Sequence, residues 1–586
     1  MKSTIMKSFA RHIAGAIILA VTSQLIVSCS KSQDVQQLPG GEKLELSVTV
    51  AGIQENAAIS EREKKSAISI QKPIVRSLDE FDVAVSIDNK IETASSVRLK
   101  SSSSVGRKAG MSAETIAPDV KFRLFLYKQD GTFVSSTLLT ANGTGKVAIV
   151  AGEAYKWYAL SYNNTETVPD VVAGSNSIAV APGKDVLHAA GQFTVPTTPT
   201  SSVPLAILFK HKAARLAIEL NSMGMFGNME AANVVVGGLT LKSGTIDIFT
   251  GKYSDLQTVT QSIVWSDFKD LEPGRSDRKV AYAFTVDSLS TNNVTVSVGG
   301  LQLKHVDGNI RNFSATPVAF TPISVTPVIG NNHRLLFNLI ESPLRLTQGG
   351  REVRWARSNL YQAAGEQNPY RFYGTNSATT ATDGRGYFAF GGTEARKFPA
   401  VPNGDPCALV YPAGTWRLPT NVEMSTLTTG DGVLTQVLSD IIGLLVKNPA
   451  PNATGDGTYI QYPVAATNGG GGNVGFDAAS NVLRFPYNGQ VTTLNVINSG
   501  AEQGLISLNL TNSRGVEAAL WTGTGNISIP LLTSNIGSWG YHARNKTALT
   551  GGFIGALGTA ELLNNVTVLG IGAIGSSLKN VRCVRN

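Results

Sequence analysis

Lys43-Leu44-Glu45-Leu46-Ser47-Val48-Thr49-Val50-Ala51-Gly52-Ile53 is the stretch that decides the fold. Leucine and valine at 44, 46, 48 and 50 alternate with Glu45, Ser47 and Thr49, a period of two that turns one face to a core and the other to water. The stretch is a half-buried β-strand. The same alternation returns at 121–127, where Asp130-Gly131 supplies a hairpin turn and 133–140 the returning strand. Residues 146–150 and 155–162 extend the series, and strands at this spacing predict a sandwich. A second series runs through 205–220, where Phe209, His211, Ala214 and Leu216 sit in an apolar stretch, then 233–241, 279–285, 293–298 and 335–339. The proline-rich run from Val195-Pro196 to Pro204 marks a boundary before it.

From Glu341 onward the texture changes. Four of the six tryptophans (Trp355, Trp416, Trp521, Trp539) fall here, with two cysteines, a glycine loop at 469–472 and a leucine-rich segment, 422–446, that predicts a helix. This block reads as α+β. Trp416-Arg417-Leu418-Pro419-Thr420 before that segment carries its own local logic: Thr420 caps a helix start, and Glu423 three residues on completes a capping box.

Composition agrees with a chain of short strands. The 586 residues suggest about three or four domains. Charged residues make up only 16%, apolar residues 42%, and glycine numbers 59, so disorder throughout is excluded and tight turns are favoured. The net charge of +8 is scattered, with no run longer than a pair such as Lys64-Lys65, which argues against a nucleic-acid surface.

Three of those positive charges, Lys2, Lys7 and Arg11, precede an apolar segment at 13–27 that is too short to span a bilayer. Residues 1–28 read as a secretion signal. Its end, Ile26-Val27-Ser28-Cys29, resembles a bacterial lipobox, which makes Cys29 the expected lipidation site. Cys407 and Cys583 then remain as an even pair in an exported chain and are expected to bridge.

Few motifs point to chemistry. Gly570-Ile571-Gly572-Ala573-Ile574-Gly575 matches a dinucleotide fingerprint, but too little chain follows it for a βαβ unit, and it reads as a glycine-rich hairpin. The histidines form no metal-binding spacing, no nucleophile elbow is visible, and His211 reads as a packed structural residue. No catalytic residue, metal or cofactor is expected. Trp539, Tyr541, His542 and Arg544, read as one loop, could stack on a sugar ring and bond its hydroxyls, or else anchor that loop in the core. Residues 54–118 are long, polar and weakly patterned, although 81–87 is fit to form one strand.

Cys29, the strands at 44–50 and 121–127, and Phe209-Lys210-His211-Lys212-Ala213-Ala214-Arg215-Leu216 together resemble the fimbrillin-type pilus lipoproteins of Bacteroidetes over about 29–340. Trp355-Ala356-Arg357-Ser358-Asn359-Leu360, Asp405-Pro406-Cys407, Trp416 to Thr420 with Glu423, Leu483-Arg484-Phe485-Pro486, Trp521 and Val581-Arg582-Cys583-Val584-Arg585 resemble a C-type-lectin-like module of the Fibrobacter succinogenes major paralogous kind. The calcium-dependent sugar motifs of such lectins are missing.

The resemblance implies a mainly β chain: transthyretin-like β-sandwich domains at 29–200 and 201–340, then a lectin-like domain at 341–586. It also implies export as an outer-membrane lipoprotein and a cut by an arginine-specific protease after the first strand, at Arg76 by first choice or at Arg62, Arg98 or Arg107. A neighbouring subunit's strand then fills the groove left behind. An uncut surface loop is an equally good reading of these arginines. Since Cys583 would tie the last strand to Cys407, the chain is expected to accept a strand rather than donate one, as a fimbrial tip or minor subunit does. Its expected partners are other fimbrial subunits and a host or bacterial glycan or protein. The alternative is a surface glycan-binding lipoprotein that never polymerises.

Overall fold

The computed structural model describes residues 42–54, 74–77, 81–88 and 113–586, less 144, 198–201, 289–291, 307, 367, 375–383, 398, 400, 402, 435–444, 456–457, 465–481, 497–506, 513, 516, 528–536, 545–553, 558–564 and 569–570. The architecture is mainly β. The first thirteen strands are β1 (Lys43–Gln54), β2 (Ile74–Ser77), β3 (Phe81–Asp88), β4 (Ala113–Glu114), β5 (Lys121–Lys128), β6 (Phe133–Thr140), β7 (Gly145–Val150), β8 (Ala154–Ser161), β9 (Ser177–Ala179), β10 (Leu187–Thr194), β11 (Val203–His211), β12 (Ala214–Gly224) and β13 (Gly227–Gly237).

The first sheet runs β4-β1-β11-β10-β8-β5-β6, with β7 also paired to β1. It nearly divides in the middle, because β10 and β11 share only the pairs Leu187↔His211 and His188↔Lys210. The two halves close on one core. Leu46, Val48, Ile207 and Phe209 from one half join Phe122, Leu124, Leu126 and Tyr155 from the other, and the Phe122 and Phe209 rings meet edge-on at 5.8 Å. The Asp130-Gly131 turn forms as expected: β5 and β6 pair antiparallel around it, and Gly131 has φ of 92°.

A second sheet contains β12, β3 and β2 together with the Arg278–Thr285 and Asn332–Glu341 strands. It packs on a sheet built from β13 and Asn292–His305, and Leu216, Ile218, Val83 and Phe337 meet Val234, Val294, Val296 and Leu303 in a shared core. The units interleave along the chain. β3 precedes most of the first sheet in sequence yet pairs along its own whole length with Arg334 to Glu341 in the second. The stretch 203–220 is likewise two strands: β11 belongs to the first sheet, and β12 to the second.

The block after 341 is also built from strands, which corrects the helix expected at 422–446. Thr420 does cap a helix, with the capping box closed by Glu423, but that helix is one turn, Asn421–Met424. The chain then forms the strands Thr428–Leu434 and Leu445–Pro449, which pair with each other. Glycines at 430 and 432 break a helix where the leucine pattern alone would continue it. Three tryptophans of this block, Trp355, Trp416 and Trp521, are fully buried. Cys407 and Cys583 are joined in a disulfide across 176 residues. The strands Asn565–Val568 and Ile571–Leu578, the second of which holds Gly572 and Gly575, pair antiparallel.

This block is anchored on the second sandwich by buried polar ties. The Tyr411 hydroxyl donates to Asn338 Oδ1 at 2.9 Å and accepts from Asn221 Nδ2 at 3.0 Å. Glu341, fully buried, is held by Arg311 at 2.6 Å and Arg357 at 2.9 Å. Arg585 pairs with Asp82 on β3 and donates to the Glu341 carbonyl at 3.1 Å. Phe226, on the turn between β12 and β13, fills the cluster around Cys407 and Trp416.

Candidate functional site: a slot filled by the first strand

β1 is held on both edges. One edge runs parallel to β11, from Leu46↔Val203 to Ile53↔Phe209. The other is antiparallel to β7, from Lys43↔Val150 to Val48↔Gly145, and then meets β4 at Ile53↔Glu114. The alternation read in the sequence produces this directly: Leu46, Val48 and Ile53 are at most 2% exposed, while Lys43, Glu45 and Thr49 face water. Burial of those three side chains contributes about 1.5–3 kcal/mol each. The rim adds little, since the Lys146–Glu45 pair at 2.7 Å is exposed on both sides.

β7 depends on β1. Among the described residues β7 has no other ladder partner, and β11 keeps only two pairs with β10. Taking β1 away would expose the backbone groups of two strands and the apolar floor of Phe122, Ile149, Ile207 and Phe209 together. The chain has thus built a strand-shaped slot and filled it with its own first strand. After β1 the next described element is β2.

Arg76 lies inside β2, opposite Val83 of β3 at the end of the second sheet. A protease that reads extended chain would have to peel this edge strand before cutting there. Arg62, Arg98, Arg107 and Cys29 lie outside the described residues.

The expected ligand loop is corrected. Trp539, Tyr541, His542 and Arg544 all lie on a strand, Gly537–Arg544, paired on both sides by Glu517–Ile527 and Ile554–Leu557. Backbone pairing on both edges makes this stretch a strand within a sheet and not a free loop. Tyr541 is fully buried, its hydroxyl 2.8 Å from that of Tyr462, and burial pushes its phenol above the usual range, opposed by the hydrogen bond to Tyr462 and helped by Tyr487. His542 is 3% exposed, with Nδ1 3.6 Å from Glu517. The side chains of Trp539 and Arg544 lie outside the described residues.

His211 bonds Asp185 through Nδ1 at 2.8 Å, and Asp185 also accepts from Asn163 at 2.9 Å. Burial pushes the Asp185 carboxyl up, but the hydrogen bond and charge of His211, with help from Asn163 and Arg215, hold it below its usual value. The group ties β11 to the loop before β10.

Among the described residues no group of three or more His, Cys, Asp or Glu side chains could hold a metal ion. No helix there is long and apolar enough to cross a membrane. A cavity of about 260 Å³ lies between β5, β6 and β7, lined by Lys121, Leu138, Leu139 and Gly145; ordinary ligand sites start at about 300 Å³.

Fold and slot define a mainly β chain of several sheets whose first strand is an insert between two later ones. No family model matches the sequence, and no curated protein matches it. Among solved structures it is similar to a candidate cell adhesion protein from Bacteroides fragilis NCTC 9343, at 12% identity and a TM-score of 0.30, covering 53% of this chain and 96% of the other. It is also similar to the fimbrial anchor protein Mfa2 from Porphyromonas gingivalis, at 10% identity and a TM-score of 0.21, covering 41% and 92%. A third is a candidate polysaccharide-binding protein from Bacteroides thetaiotaomicron VPI-5482, at 7% identity and a TM-score of 0.24, covering 40% and 89%.

Proposed function

We propose that this chain is a surface fimbrial subunit of the accepting kind: exported as a lipoprotein through Cys29, cut between β1 and β5, and assembled when another subunit's strand replaces β1. The observation that carries this reading is the slot, in which β1 is the sole described ladder partner of β7 and the main partner of β11. Burial and ladder pairing along β1 drive a replacement strand into the same place. The early position of β1 lets one cut downstream release it as a separate peptide.

The other end of the chain supports accepting over donating. Val584–Arg585 lies between the Arg351–Trp355 and Trp416–Arg417 strands, and Cys583 beside it is bonded to Cys407. A strand held in this way does not leave to fill another subunit's slot. This favours a tip or minor subunit, with the block after 341 presented outward to a glycan or protein.

Mass spectrometry of the N-terminus of surface-extracted protein tests the reading. A mature start after an arginine between 54 and 118 is the expected result. Retention of residues 29–54 in pilus-associated protein would overturn it, and retention with no pilus association would instead favour an anchored glycan-binding lipoprotein. Gold labelling spread evenly along purified pili would reject the tip position alone.

A further inference from the structure

Two early strands, β1 and β3, are held in different ways. β1 sits in the first sheet through its ladders and through Leu46, Val48 and Ile53. β3 lies inside the second sheet, between β2 and Asn332–Glu341. It pairs along its whole length, from Asp88↔Arg334 to Phe81↔Glu341. Phe81, Val83 and Val85 enter the second core at no more than 5% exposure. The Phe81 ring meets Phe313 and Phe320 edge-on, at 5.6 and 6.2 Å. On the other face of the strand, Asp82 is 2% exposed and pairs with Arg585 of the block after 341.

The two strands therefore ask different things of any replacement. In place of β1 a strand of alternating apolar side chains suffices, because the Glu45–Lys146 pair is exposed on both sides and adds little. In place of β3 a strand must bring an aromatic ring, two further apolar side chains and a buried carboxylate aimed at Arg585. Loss of that carboxylate takes the ion-pair partner from a buried guanidinium, which is strongly destabilising. β1 is built to leave, and β3 is not.

We infer that β3 is a permanent strand of the working subunit and that the cut which opens the slot falls ahead of it, so that a cut after Arg98 or Arg107 does not open the slot. This rests on the strand-replacement reading and adds to it which cut serves that replacement. Two connections precede β4 in sequence, 55–73 between β1 and β2 and 89–112 behind β3. A cut in the second leaves β1 joined through β2 to β3, which stays in place. β1 is then a tethered competitor for its own slot, at an effective concentration on the order of millimolar. An incoming strand has to outcompete it there. A cut ahead of β3 removes the tether, and β1 is free to leave, while Asp82 keeps the block after 341 tied to the second sandwich.

The test takes pilus-associated surface protein, digests it with trypsin and quantifies three peptides by mass spectrometry. Peptide 44–62 reports β1, 77–90 reports β3, and 253–269 serves as the reference for the chain. The expected result is loss of 44–62 with 77–90 at the level of the reference. Loss of both overturns the permanence of β3 and leaves strand replacement standing. Retention of both with the chain severed within 89–112 overturns the place of the cut. Retention of both in an uncut chain overturns strand replacement itself.

Discussion

At the scale of single residues, two histidines set the acid limit of the fold. His333 is buried, and its Nε2 accepts from the Val328 N–H at 3.0 Å, so the neutral ring is the one that fits; burial holds its pKa below the ordinary value. Burial does the same to His188, opposed by its hydrogen bond to the Ile248 carbonyl at 2.7 Å. The unfolded chain therefore binds more protons than the folded one just below about pH 6.5. Stability should be full above that pH and fall as pH drops through it. Urea midpoints at pH 7.5 and 5.5 check this, and a His188→Gln/His333→Gln variant that kept the same pH slope would reject the assignment. Phe226 makes a second residue-scale case: it holds φ of 59°, rare for a bulky side chain, to place its ring 5.0 Å from that of Phe372. Phe226→Ala should lower stability by about 3–5 kcal/mol, read by urea unfolding. A loss under about 1 kcal/mol would mean the strained turn is not a packing anchor.

At the scale of elements, β1 is expected to govern its neighbours. Leu46→Ala should cost about 2–5 kcal/mol, and amide exchange in β7 should quicken before that in β5 or β8, whose ladders do not involve β1. Uniform loss of protection across the sheet would contradict the dependence of β7 on β1. The sequence announced β1 plainly, because its alternation spans four residue pairs before any irregularity. It did not announce the extra residue by which β1 shifts register against β11 between Val50 and Gly52, since Ala51-Gly52 interrupts the pattern in the way a strand end does. Gly299-Gly300 hid the second half of Asn292–His305 for the same reason, and 293–298 alone read as strand. The helix at 422–446 failed differently: the cap at Thr420 is real, but pairing between Thr428–Leu434 and Leu445–Pro449 overrides leucine's helical preference. The Trp539–Arg544 stretch looked like a loop because Gly540 and the mixed side chains show no period, whereas two flanking strands pair with it.

At the scale of the whole molecule, the block after 341 and the second sandwich are expected to unfold together. Arg585→Ala would leave Asp82, 2% exposed, without its guanidinium and should cost about 3–5 kcal/mol. Calorimetry should then show one transition resolving into two, and a single unshifted transition would mean the tie carries no load. The disulfide closes a loop of 176 residues, so Cys407→Ser/Cys583→Ser should cost about 5 kcal/mol by loop entropy, most visibly as an earlier transition of that same block. The Arg585 contact with the Glu341 carbonyl also fixes where the block is entered and left: the chain arrives at Leu344, and Val584 lies one strand away from it, across Trp355. Doorway and exit share a wall. A body connected in that way is a cassette, and exchanging it for another of different surface chemistry asks nothing of the slot at the far end of the sequence.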